Sequence, residues 1–438
     1  MEIDKTTLKD LAIFNAEEDF SVFNTINFTR TSNGKEQLKK NLRTPLSTTE
    51  AIAGVQQTIR LIKDSLPQWP MQISNGTVMV VERFYETSID PISGHVSSMG
   101  ALSYKLLHGP DYSLIKYSVT HCFDFIKGMQ AIVQKFLSEQ CPAPLKKLLL
   151  TAQKISNTTH LKDLDPYDKS ADMPVSQQLQ LAQFLRYQYK QNMLDLVSIY
   201  AQLDAWYGMA MAVKNLNLVF PEFTPSGDPK IDVKGLYHIL LPNPVPYDVT
   251  MNRQTNFLFL TGANMAGKST FIKAVGTAVF LAHAGMGVPA ERMQLSVFDG
   301  LLSNINVLDN IAKGESYFFN EVQRIKATIS KINDGRKWLI LIDELFKGTN
   351  VQDAMKCSTT VIEGLLKINN SLFILSTHLY EIGEALKIHS NLSFNYFETT
   401  VANGQLSFSY QLRNGISNDR LGYLILQREG VVDMLEKL

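Results

Sequence analysis

Phe257-Leu-Phe-Leu-Thr261-Gly262-Ala-Asn-Met-Ala-Gly267-Lys268-Ser269-Thr270 runs from a continuous apolar stretch straight into a glycine-containing loop. The first five residues read as a strand buried on both faces, the form strands take in a parallel sheet covered by helices. Gly262 to Ser269 fits Gly-x4-Gly-Lys-Ser without mismatch. In such a loop the glycines let the backbone curl so that successive N–H groups face a polyphosphate. Lys268 brings a point charge to the terminal phosphates, and the Ser269 hydroxyl is suited to Mg²⁺. Thr270 to about His283 then reads as a helix whose positive end lies under the phosphates.

Two further apolar runs share the texture of the first: Trp338-Leu-Ile-Leu-Ile342 and Leu372-Phe-Ile-Leu-Ser376. Helical patterns separate them, as expected of an α/β domain with a parallel sheet. Asp343 and Glu344 close the second run. A carboxylate at the end of a buried strand beside such a loop is placed to hold Mg²⁺. The next carboxylate can act as general base toward an attacking water. Thr377 and His378 end the third run, and the imidazole is a candidate sensor of the terminal phosphate. The interval from Lys268 to Asp343 has no room for the long coiled coil of chromosome-maintenance ATPases. The chain also has no Leu-Ser-Gly-Gly-Gln signature of transporter ATPases.

Upstream, the first 220 residues read as helices. Leu38 and Leu42 recur at helical spacing before Pro45, and Met193 to Leu218 carries a long apolar stripe ended by Pro221. Pro142, Pro144, Pro166 and Pro174 break the stretch between them into separate helices. Pro-Ser-Gly-Asp-Pro at 225–229 reads as a linker. The expected organisation is therefore an all-helical domain over 1–228 followed by an α/β domain over 229–438.

The 438 residues suffice for two or three domains, each with its own core. A 45 % hydrophobic and 19 % charged composition excludes a disordered chain. Three widely spaced cysteines exclude a disulfide framework and a clustered zinc site. The opening residues lack the layout of a signal peptide, and no apolar run is long enough to span a bilayer, so a cytoplasmic location without membrane contact is expected. The 42 basic and 42 acidic side chains balance, and neither 1–230 nor 231–438 has an excess of either sign. Composition thus gives no support for a polyphosphate partner beyond a local patch.

With these blocks in place, a family resemblance is specific. Thr261 to Thr270 resembles the phosphate loop T-G-P-N-M-G-G-K-S-T of the MutS family of DNA mismatch-repair ATPases, with Ala266 at the penultimate glycine. Leu281-Ala-His-Ala-Gly285 and Val288-Pro-Ala290 are similar to that family's L-A-H-x-G and V-P-A. Asp309 to Phe318 resembles its D-D-L-A-x-G-x-S-T-F signature loop, with Glu315 before Ser316. Asp343 to Thr349 is similar to D-E-I/L-G-R-G-T, and Thr377-His378 to the T-H pair. Thr29-Arg-Thr-Ser-Asn-Gly34 with Leu42 and Pro45-Leu46 resembles the start of the family's core or lever domain. Leu203-Asp204, Ala210 and Ala212 are similar to its returning helix.

The resemblance implies a helical lever followed by an ABC-type P-loop ATPase domain that uses ATP and Mg²⁺. It assigns nucleotide binding to Gly262, Asn264, Met265, Ala266, Gly267, Lys268, Ser269 and Thr270. Metal binding falls to Ser269 and Asp343, and catalysis to Glu344, His378 and Ser316. Tyr247 is the candidate for stacking on adenine. Ser316 would reach across a homodimer to the phosphate held by the other subunit, giving composite sites. The implied partner is DNA, in repair or related DNA metabolism. The mismatch-reading domain is expected to be missing, the clamp short, and the C-terminal dimerisation tail absent or stunted. A second reading is a nucleotide-gated dimeric assembly protein with a protein partner and no DNA. A generic P-loop phosphotransferase is disfavoured by the signature loop.

Overall fold

The computed structural model describes residues 1–15, 20–92, 97–225, 227–263, 265–306, 317–402, 405–417, 426–427 and 430–435. It divides into two compact units. One comprises Met1–Thr25, Thr44–Ile52 and Leu216–Leu438, and the other Ile26–Arg43 and Ala53–Asn215. The expected boundary near residue 228 left the first 25 residues with the helices. In the structure they belong to the α/β unit, for reasons of pairing given next.

The α/β unit is built on β1 (Glu2–Ile3), β2 (Glu222–Thr224), β3 (Ile231–Leu236), β4 (Tyr247–Met251), β5 (Phe257–Thr261) and β6 (Arg292–Ser296). It continues with β7 (Gly300–Asn304), β8 (Trp338–Asp343), β9 (Leu372–Ser376), β10 (Leu392–Ala402) and β11 (Gln405–Asn414). Seven of these form one sheet in the order β1-β7-β8-β9-β5-β10-β11. Neighbours pair in parallel except for the edge hairpin β10–β11. The three apolar runs of the sequence are β5, β8 and β9, adjacent in space, and every one of their side chains is buried. That burial on both faces is why they read as unbroken apolar runs rather than alternating ones. The remaining strands form a smaller sheet, β2-β6-β3-β4.

β1 is two residues long, too short to leave a periodic signal, yet Glu2 and Ile3 pair with Gly300 and Leu301 at the sheet edge. The helix Lys5–Asp10 follows, capped by the Asp4 side chain. Buried Asp10 then accepts hydrogen bonds from Ser303 Oγ (2.6 Å) and the N–H of Ile305 (3.0 Å). A carboxylate is tolerated at such depth because these donors, Asn306 and the Arg324 guanidinium 3.6 Å away replace water.

The helical unit is centred on Lys190–Asn215, where a one-sided stripe was expected. Burial instead runs nearly all round: Leu196, Tyr200, Leu203, Ala205, Ala210 and Ala212 are all inaccessible. Helices Ser32–Arg43, Ala143–Ser156 and Val175–Tyr187 pack around it, so polar positions such as Asp204 are enclosed too. The prolines mark helix starts: Pro144 lies in the first turn of Ala143–Ser156, and Pro174 precedes Val175–Tyr187. At that position the missing N–H costs nothing.

Asp204 explains the Thr29–Gly34 stretch. Its carboxylate accepts from the N–H of Arg30 (2.9 Å) and from Thr31 N–H (2.9 Å) and Oγ1 (2.6 Å). Thr31 Oγ1 in turn accepts from Gly34 N–H (3.0 Å), capping the helix that starts there. Burial pushes the Asp204 carboxyl above its ordinary range, against the pull of the Thr31 and Arg30 donors. A Cβ on Gly34 would lie 2.1 Å from Asp204 Oδ2. Gly34→Ala should therefore break these charge-assisted bonds and cost the helical unit about 3 kcal/mol, read as a lower midpoint in urea unfolding. An unchanged midpoint would show that the carboxylate moves aside freely.

Candidate active site

The carboxyl ends of β5, β8 and β9 lie side by side, the edge at which ligands bind in open α/β sheets. From β5 the chain enters the glycine loop through Gly262 (φ +137°) and leaves it through Gly267 (φ +112°). A side chain on Gly262 would also come within 3.3 Å of the Phe397 backbone. At Gly267 the neighbours stand at 3.5 Å or more, so the backbone conformation rather than space requires glycine there. The loop feeds the 16-residue helix Lys268–His283, whose N-terminal dipole faces the loop.

Lys268 is 5 % exposed, and its Nζ donates to the carbonyls of Gly262 (2.7 Å) and Ala263 (2.9 Å). Burial pushes its ammonium below the usual lysine value, opposed by the nearby Glu344 and Asp343 charges. The two loop carbonyls thus fix the position of the ammonium. Ser269 is exposed and Thr270 half-buried, both on the wall of a cavity of about 530 Å³ that Lys268, Met265 and Glu344 also line. Ala266 is 1 % exposed and its N–H donates to Ala263 (3.3 Å), so its methyl group is enclosed by protein. Asn264 lies outside the described residues.

Asp343 is buried at the end of β8, opposite Ser376 of β9, whose hydroxyl donates to Asp343 Oδ1. Glu344 turns out of the strand with φ +60°, and its N–H donates to the Ser376 carbonyl (2.9 Å). Its Oε2 pairs with Lys347 Nζ at 2.9 Å and lies 3.8 Å from Nδ1 of the half-exposed His378. The structure therefore brings Lys268, Ser269, Asp343, Glu344 and His378 to one edge of the sheet. Ser316 and the signature loop up to it lie outside the described residues. The Ser269 hydroxyl on the cavity wall and the Asp343 carboxylate at the end of β8 are hard oxygen donors of the kind Mg²⁺ takes.

Tyr247 lines the same cavity, but most of its ring is covered. It is 5 % exposed and held edge-on by Phe271 (5.4 Å) and Phe397 (5.8 Å). Exposed side chains at the cavity include Tyr410, at φ +54° and 41 % exposed, Met265, at φ +68° and 75 % exposed, and Leu241, 44 % exposed. Tyr410 has no local sequence signal linking it to the loop; the β10–β11 hairpin, paired beside β5, brings it there. His283, at the far end of the loop helix, is structural. Its Nδ1–H donates to Leu46 O (2.9 Å), its Nε2 accepts from Phe298 N–H (3.2 Å), and burial pushes its pKa down to about 4.

Residues 258–434 match the family model described as MutS domain V. The chain is similar to the DNA mismatch repair protein MutS of Lactococcus lactis subsp. cremoris, 27 % identical over 57 % of this chain and 30 % of the relative. The MutS protein of Pseudothermotoga lettingae is 30 % identical over 52 % of this chain and 28 % of that protein. The MutS protein of Streptococcus suis is 25 % identical over 62 % and 32 %. The chain thus spans about 30 % of the length of the curated relatives it matches. Among the described residues no helix is long and apolar enough to cross a membrane.

The loop backbone can be tested without any ligand. Gly267→Ala should cost about 2 kcal/mol of stability, because alanine at φ +112° is strained even with room for its methyl. Gly364→Ala, on a helix with nothing within 4 Å, should instead gain about 0.5–1 kcal/mol. Urea unfolding of the two variants checks the opposite signs, and a neutral Gly267→Ala would refute the strained loop.

Proposed function

From the match to MutS domain V and the similarity to MutS proteins, we propose that the chain is a MutS-family member that binds and hydrolyses ATP with Mg²⁺ and couples the nucleotide state to DNA. The observation that carries this reading is that Lys268 and Glu344 line one cavity at the carboxyl edge of the sheet, with the buried Asp343 close enough for its charge to act on Lys268. We assign the ATPase role to the α/β unit and the core and lever role to the helical unit. The dimer with composite sites, completed by Ser316 of the other subunit, is part of the same proposal and rests on the family resemblance.

On this reading the triphosphate lies against the loop N–H groups and the helix N-terminus, and Lys268 exchanges its bonds to Gly262 and Ala263 for phosphate oxygens. Ser269 and Asp343 would hold Mg²⁺, which when bound offsets charge on the phosphate oxygens. Glu344 accepts the proton of the attacking water, which requires it to release Lys347. His378, within 3.8 Å of Glu344, is placed to donate toward the terminal phosphate. Tyr410 and Met265 are among the groups open to the base.

Lys268→Ala should abolish nucleotide binding, whereas Glu344→Gln should bind ATP normally and turn over roughly 100-fold or more slowly. Equilibrium binding of a fluorescent ATP analogue and steady-state phosphate release separate the two. A Glu344→Gln protein with normal turnover would remove Glu344 from the chemistry. DNA binding, if the reading holds, is of the phosphate-contact type: affinity should fall steeply with salt and distinguish a mismatch poorly from paired duplex. Binding assays on both duplexes at two salt concentrations check it. Absence of DNA binding would favour the nucleotide-gated assembly reading, which the even charge balance supports.

A further inference from the structure

Phe346 has φ +59°, two residues after Glu344 at φ +60°. A bulky side chain in the left-handed region is strained, so this turn persists only if its surroundings hold it. Two groups on the helix Tyr317–Ile332 do so. Phe318 meets the Phe346 ring, with centroids 5.7 Å apart, and Phe346 is 4 % exposed within the apolar core. One turn along, the equally buried Glu321 accepts from Lys347 N–H at Oε1 (3.3 Å) and from Gly348 N–H at Oε2 (3.4 Å). The N–H of Phe346 acts on the same carboxylate. Successive N–H groups converging on one anion form a nest, the arrangement that left-handed residues allow.

Glu321 is not on the cavity wall, and burying its carboxylate is unfavourable: desolvation raises its pKa despite the three N–H groups. An apolar residue would pack there at lower cost, so the carboxylate has to be explained by what it holds. We propose that Glu321 is a positioning residue that gathers the N–H groups of residues 346–348 and so keeps the turn in the conformation that presents Glu344 to the cavity. The other end of the turn is already fixed, because Glu344 N–H is bound to the Ser376 carbonyl of β9. Between these anchors Lys347 reaches Glu344 Oε2. Without the carboxylate, Phe346 relaxes toward ordinary φ values and Glu344 is carried away from its place. The inference rests on the reading of Glu344 as the general base.

The test is Glu321→Gln, whose amide turns a donor toward N–H groups that need an acceptor. ATP affinity should stay within about threefold of the parent, while kcat falls roughly ten- to a hundredfold, the penalty of a slightly misplaced catalytic group. Single-turnover rates of Glu321→Gln combined with Glu344→Gln should equal those of Glu344→Gln alone, since the first residue acts only through the second. Amide hydrogen exchange over 344–350 should speed up in Glu321→Gln, a readout independent of nucleotide. Normal kcat, a double variant slowed by the full product of both effects, or unchanged exchange would each overturn the proposal. A parent protein that does not bind ATP would instead count against the ATPase reading and leave the exchange measurement to judge Glu321. If Glu321→Gln does not fold, Glu321→Asp, whose shorter carboxylate reaches fewer N–H groups, should show the same kcat loss and faster exchange in milder form.

Discussion

Two backbone hydrogen bonds stitch the carboxyl ends of three strands together. Thr377 N–H donates to the Leu260 carbonyl of β5, and Glu344 N–H donates to the Ser376 carbonyl of β9, each at 2.9 Å. The glycine loop, the two carboxylates and the Thr-His pair all leave the sheet within a residue or two of these bonds. Their relative positions are therefore set by strand register rather than by side-chain packing. In this parallel ladder a one-residue shift would break these bonds and exchange the side chains packed on a strand's two covered faces. The particular side chains that fill both faces of β5, β8 and β9 hold that register and, through it, the site.

Strain is concentrated at the same edge. Met265, Glu344, Phe346 and Tyr410 all hold positive φ without being glycine, and three of the four line the cavity. Such residues persist where the surroundings over-determine them. Here the surroundings are the Ser376 carbonyl, the Glu321 carboxylate and the apolar pocket around Phe346. The loop lysine is held in a comparable way by two carbonyls. A buried ammonium that has already lost its water gives up less on meeting a phosphate than one drawn from solvent.

In the helical unit a single enclosed carboxylate has a similar role. Asp204 ties the entry to Ser32–Arg43 onto the central helix, and the glycines at 34 and 208 are the positions where the two segments approach too closely for a side chain. Burying that charge is costly in itself. What it secures is one arrangement of the segments rather than several.

Composition, apolar runs and the Gly-x4-Gly-Lys-Ser spacing determined from the sequence alone that an α/β unit follows helices, which strands form its centre, and which carboxylates end them. These features are local: a continuous apolar run and a loop that must curl leave their mark within a few residues. Tertiary structure alone decided the rest. The two-residue β1 has no period to detect, and it joins the sheet only because the edge of β7 is available. Tyr247 and Tyr410 look alike as residues. Packing against Phe271 and Phe397 buries most of the first in the cavity wall, and the hairpin beside β5 leaves the second exposed there. The helix Lys190–Asn215 reads as one-sided until its neighbours surround it. Glu321 reads as one more helical acid, and only the turn folded against it turns a solvated charge into a buried one. Such contacts join residues far apart in the chain, and a one-dimensional pattern has no term for them.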